Sequence, residues 1–80
     1  MKVRVLFFAS LRERTGSRER EFDLAESASV EGLLTHLHRE YPVLAQCGRV
    51  SIAVNEEYAP LDHLLQEGDE VALIPPVSGG

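Results

Sequence analysis

The chain has 80 residues, a formal net charge of −5 and a single cysteine, Cys47. That length fits one small domain burying roughly 60–65% of its unfolded surface, with no room for an internal disulfide and a cysteine usage that fits a reducing compartment. No apolar run approaches the roughly 20 residues of a membrane span, and Lys2 with its alternating neighbours makes no secretory signal, so a cytoplasmic protein with no membrane partner is expected.

Lys2 to Ala9 reads as a strand rich in β-branched and aromatic residues. Alternation places Val3, Val5 and Phe7 on one face and Lys2, Arg4, Leu6 and Phe8 on the other. Ser10 to Arg18 is a polar connection with Gly16 in a turn. Arg20 to Leu24 alternates again, with Phe22 and Leu24 inward, and pairs with the first strand as a hairpin. Ser29 is placed to cap a helix running to about Tyr41, with Pro42 just beyond it. Val30, Leu33, Leu34, Leu37 and Tyr41 form its buried stripe, opposite Gly32, Thr35 and Arg39.

A loop through Cys47 and Gly48 leads to a third strand, Val50 to Val54. Asn55-Glu56-Glu57 turns the chain into Tyr58-Ala59-Pro60, a short segment whose proline confines it to an edge. Leu61 to Leu65 is expected to form one helical turn, with Leu64 and Leu65 closing the core. Glu67-Gly68-Asp69 is a turn. Glu70 to Ile74 is the last strand, halted by Pro75-Pro76, which cannot donate ladder hydrogen bonds. The order strand, strand, helix, strand, short strand, strand predicts an α+β domain with one mixed sheet under one main helix. Residues 1–76 form that domain, and the prolines project residues 77–80 from it as a tail.

All eight basic residues lie at or before Arg49 with seven acids, whereas the stretch from Val50 onward holds six acids and no Lys or Arg. Phosphate-backbone binding requires clustered Lys and Arg, so nucleic acid is not an expected partner. An acidic half beside the tail points to docking on a basic protein surface, where charge acts mainly on steering. The alternative is an ordinary solvated acidic face.

Conventional catalysis finds little support. His36, His38 and His63 lack metal-ligand spacing, so no metal is expected. Cys47 has no signalled base and reads as a packing residue. No phosphate-cradling glycine loop is present, so the chain is not expected to bind ATP or another cofactor itself, or to be an enzyme alone. The informative residues are Gly79-Gly80. Two residues without a Cβ can pass through a slot that side chains would block, and they carry an unhindered carboxylate that ATP-dependent adenylation activates. An idle frayed end is the alternative. If the first and last strands are neighbours, Phe8, Ile74 and Tyr58 form an exposed apolar surface at the base of this tail, a composition typical of a partner site. A covering loop, or scattered surface hydrophobics, is the other reading.

These residues carry a family resemblance. Val5-Leu6-Phe7-Phe8-Ala9 followed by Leu11-Arg12-Glu13 and Gly16 is similar to the start of the molybdopterin synthase small subunits. Ala53-Val54-Asn55, Leu61-Asp62, Gly68-Asp69-Glu70-Val71 and Pro75-Pro76-Val77-Ser78-Gly79-Gly80 resemble their second half, the last block most specifically. Leu73-Ile74 departs from two aromatics common there. The resemblance implies a ubiquitin-like β-grasp fold with parallel, adjacent first and last strands. It also implies that a ubiquitin-activating-type adenylyltransferase uses ATP to adenylate Gly80. A sulfur donor then leaves a thiocarboxylate, which delivers sulfur to cyclic pyranopterin monophosphate in the large synthase subunit of a heterotetramer, building the molybdopterin dithiolene. Gly80 is then the acyl carrier and Val77, Ser78 and Gly79 the slender tail, while Phe8, Tyr58 and Ile74 dock the partner. A sulfur carrier for thiazole, cysteine or tRNA thiolation uses the same tail chemistry, as does a ubiquitin-like protein modifier. An interaction module with an idle tail is the remaining reading.

Overall fold

A computed structural model of the protein describes residues 1–76. The elements are β1 (Lys2–Phe7), α1 (Ser10–Thr15), β2 (Glu19–Asp23), α2 (Val30–Glu40), a short 3-10 helix (Pro42–Gln46), β3 (Ser51–Val54), β4 (Glu57–Tyr58) and β5 (Glu70–Ile74). The sheet order is β2-β1-β5-β3-β4, with β1 and β5 parallel and the other pairs antiparallel. No helix among the described residues is long and apolar enough to cross a membrane.

Alternation determines which side chains meet. Val3, Val5 and Phe7 of β1 and Val71 and Leu73 of β5 lie on the inner face, where each is almost fully buried. Val30, Leu33 and Leu37 of α2 close over them, with Leu11, Leu44 and Leu65 sealing the rim. The Phe7 and Tyr41 rings meet edge to face at 5.4 Å, a favoured aromatic geometry. Helix α2 starts where its cap requires: the Ser29 hydroxyl accepts a hydrogen bond from Gly32 N at 3.1 Å. It ends at Tyr41, whose N–H donates to Leu37 O, and Pro42 follows.

Two expectations fail. Ser10–Thr15 is a helix, not a polar connection. Leu11 is its one buried residue, so six positions carry no readable stripe; burial of that leucine and the left-handed Gly16 at the C-terminus decide the conformation. The reverse holds for Leu61 to Leu65, which forms turns and no helix. The Leu61 and His63 carbonyls accept from Glu31 N and Val30 N, so this segment satisfies the exposed donors that begin α2. Leu65 enters the core, but Leu64 is 59% exposed. The loop expected through Cys47 contains the short 3-10 helix, anchored by buried Leu44.

Candidate functional site

The central parallel pair puts the outward residues of β1 and β5 side by side. Leu6 pairs with Ala72, Ala72 with Ala53, and Ala53 with Tyr58, giving one row across four strands. One step toward the chain's exit, Phe8 N donates to Leu73 O at 3.1 Å, which sets Phe8 beside Ile74, and Ile74 pairs with Ser51. Phe8 is 45% and Tyr58 78% exposed, while Ile74 is half-buried. The two alanines keep the ground between Phe8 and Tyr58 low. All three predicted docking residues therefore share the outer face, with Phe8 and Ile74 at the end where β5 passes into Pro75 and Pro76 and Tyr58 one row back, level with Ala72. Val77, Ser78, Gly79 and Gly80 lie outside the described residues.

Two backbone features hold this end in shape. Ala9 has φ 51° and ψ −127°, a conformation normally left to glycine, inside a turn closed by Leu11 N donating to Phe8 O at 3.0 Å. Such a residue costs about 1–3 kcal/mol, and here the turn redirects the chain immediately after the exposed Phe8 ring. Gly48 has φ +74°, and a Cβ there would stand 3.2 Å from Pro76 Cγ. Glycine is thus needed both for the turn and for close approach to the proline that leads the chain out.

Beside Phe8 a cleft of about 640 Å³ is lined by Leu6, Arg12, Ser17, Arg18 and Glu19. Sequence reasoning missed it because α1, which carries Arg12, was read as a connection. Arg20 was missed as well. Its guanidinium donates to Tyr41 Oη at 2.7 Å and lies 5.0 Å from the Phe22 ring centre, clamping β2 to the end of α2. The Tyr41 hydroxyl, and then the Glu40 charge, raise the pKa of this guanidinium.

The opposite end of the sheet is different. Asp69 is buried and its carboxylate accepts from Asn55 Nδ2 at 2.9 Å and from Gln66 N at 2.8 Å. Asn55 Oδ1 accepts from Glu70 N at 3.0 Å, and Asn55 itself opens a two-residue turn in which Asn55 and Glu56 both have positive φ. Arg4 pairs with Glu70, and the Met1 ammonium donates to Leu24 O at 2.7 Å. Five of the six acids of the second half, Glu56, Glu57, Glu67, Asp69 and Glu70, belong to this far end. The acidic half is next to the tail in sequence, but these five acids lie at the opposite end of the sheet from Pro75 and Pro76, which corrects the expected acidic surround.

His36 and Cys47 have packing roles in this geometry. His36 packs edge-on against Phe22 at 5.2 Å, and Cys47 Sγ donates to Val43 O at 3.3 Å. Among the described residues, no group of three His, Cys, Asp or Glu is placed to hold a metal ion.

Residues 5–80 match the ThiS family. The chain belongs to the ThiS family. It is 42% identical, over 83 residues and the full length of both chains, to the molybdopterin synthase sulfur carrier subunit of Chlamydomonas reinhardtii. SAMP1 of Haloferax volcanii, a small archaeal modifier protein, superimposes with a TM-score of 0.88 at 31% identity, covering 100% of both chains. Subunit 1 in the complex of subunits 1 and 2 of the molybdopterin-converting factor of Helicobacter pylori superimposes with a TM-score of 0.72 at 26% identity, again covering 100% of both. The architecture is accordingly the α+β ubiquitin-like fold, as the resemblance implied.

Proposed function

We propose that this chain is the sulfur-carrying subunit of a molybdopterin synthase. The observation that carries the reading is the outer apolar face of a ThiS chain, with Phe8 and Ile74 where β5 leads toward Gly79-Gly80 and Tyr58 one row behind them. The face docks the large subunit, and the two glycines are narrow enough to enter its pocket. A complex of subunits 1 and 2 of the Helicobacter pylori factor supports a partner of that kind.

The chemistry follows from the carboxylate. A Gly80 oxygen attacks the α-phosphorus of ATP bound by an adenylyltransferase; pyrophosphate leaves and an acyl-adenylate forms. A sulfur nucleophile then attacks the acyl carbon and expels AMP. Where that nucleophile is the persulfide of a donor protein, a thiol then cleaves the acyl disulfide and leaves as a mixed disulfide with the donor, and Gly80 holds a thiocarboxylate. Sulfur is a far better nucleophile than the oxygen it replaces, so the tail can attack cyclic pyranopterin monophosphate in the large subunit. This chain supplies the sulfur and the docking face, while ATP and the acid–base groups belong to its partners.

Intact-mass analysis after incubation with the adenylyltransferase, ATP and a sulfur donor tests the reading. One oxygen-to-sulfur exchange, mapped to the C-terminal peptide, is the expected result. Sulfur transfer by a chain lacking Gly80 at the full rate would sink it. The likeness to SAMP1 favours a second reading, attachment to lysines of other proteins, and isopeptide adducts in extracts of the source cells are its signature.

A further inference from the structure

The ends of this sheet carry opposite charge. β1 and β5 run parallel, so Phe8, Ile74 and Pro76 share one end with α1 and with the residues before β3. Arg12 and Arg14 lie on α1, and the Arg18 carbonyl accepts from Phe7 N. Arg49 follows Gly48, the residue set against Pro76. None of these four arginines pairs with a carboxylate among the described residues. Glu19, which stands nearby, turns its carboxylate toward Arg4 at 3.8 Å. At the far end the two basic residues, Lys2 and Arg4, are both paired with glutamates. One end is a set of free cations beside exposed Phe8; the other is acidic, and both of its cations are paired.

Building on the proposed carrier role, we propose that Arg12, Arg14, Arg18 and Arg49 form a rim that docks against an acidic protein surface around the slot receiving the tail. The charge complementarity is local. A strand of this length spans about 17 Å, twice the roughly 8 Å Debye length at physiological salt, so the far acids barely reach a docked partner. Guanidinium groups on an exposed rim add little to affinity singly but speed encounter and select orientation. A protein surface fits the rim better than a phosphate chain does. Phe8 shares its cleft with Arg12 and Arg18, as apolar anchors do with cations in protein interfaces, and Glu13 intrudes on α1. The rim reverses the partner charge that the acidic half of the sequence implied.

The test is stopped-flow association with the molybdopterin synthase large subunit encoded in the same genome. The wild-type rate constant is expected to fall about tenfold between low and high salt, as for steered encounters. Arg14→Glu with Arg18→Glu should slow low-salt association about tenfold with the thermal midpoint unchanged, and Arg14→Gln with Arg18→Gln should slow it about threefold. Glu56→Lys with Glu57→Lys at the far end should change the rate less than about twofold. Wild-type binding whose rate ignores salt and both arginine pairs overturns the inference and leaves the carrier role standing. Tight, saturable binding of tripolyphosphate that the Arg14→Glu, Arg18→Glu variant loses, with protein association unchanged, assigns the rim to a phosphate ligand and also overturns it. No binding by the wild-type chain removes the proposed role, and this inference with it.

Discussion

The two ends of the sheet are built on opposite principles. At the far end, Asp69, Asn55, Gln66 and Glu70 satisfy one another through short hydrogen bonds, and the cations are paired. At the tail end, Phe8 is exposed, Ala9 is strained, and four arginines have no carboxylate partner among the described residues. A surface whose groups are already satisfied has little to offer a partner, whereas exposed apolar area and free donors gain by being covered. The far end holds the fold together, and the tail end is left to bind.

The contrast predicts where damage shows. Removing Gly80 should reduce sulfur transfer to background while leaving the unfolding midpoint in urea unchanged. Next come Phe8→Ala and Tyr58→Ala, each expected to weaken large-subunit binding by about 10- to 100-fold in calorimetric titration, the scale of a truncated aromatic anchor. Their unfolding free energies should move by no more than about 0.5 kcal/mol, since both rings are exposed. Asp69→Ala is the mirror case. It strands Asn55 Nδ2 and Gln66 N, so denaturant unfolding should report a loss of about 2–3 kcal/mol, with binding of the folded protein unaltered. The smallest effect is a gain: Ala9→Gly should stabilise by about 1 kcal/mol as strain is released, less the extra chain entropy of glycine. If that variant also binds more slowly, the strained turn serves to pre-set Phe8.

Strands and the main helix were legible because their signals repeat. β5 is bounded as read, from Glu70 to Ile74, since Gly68 marks its turn and Pro75 its stop. α2 carries both a cap and a stripe that repeats along its whole length. α1 was illegible because one buried leucine in six residues makes no period. The segment Leu61 to Leu65 looked helical in composition, but its carbonyls are taken by the α2 N-terminus, a demand that arises only when the two segments meet. Of the candidate site, Phe8, Tyr58 and Ile74 do share the outer face that alternation assigned them, although Ile74 is half-buried. The arginine rim was missed, because its members are scattered from position 12 to position 49.

By itself, then, the sequence determined the strands and the main helix, the inner and outer faces of each strand, the paired prolines and the glycine pair. These are local properties, set by side-chain alternation, caps and backbone permission within a few residues. Which charges surround the exit of the chain was decided by tertiary structure alone. The antiparallel returns carry the acidic second half to the far end, and the parallel β1–β5 pair brings arginines from the first half to the base of the tail. Charge acts through space, and strand pairing, not order along the chain, sets those distances.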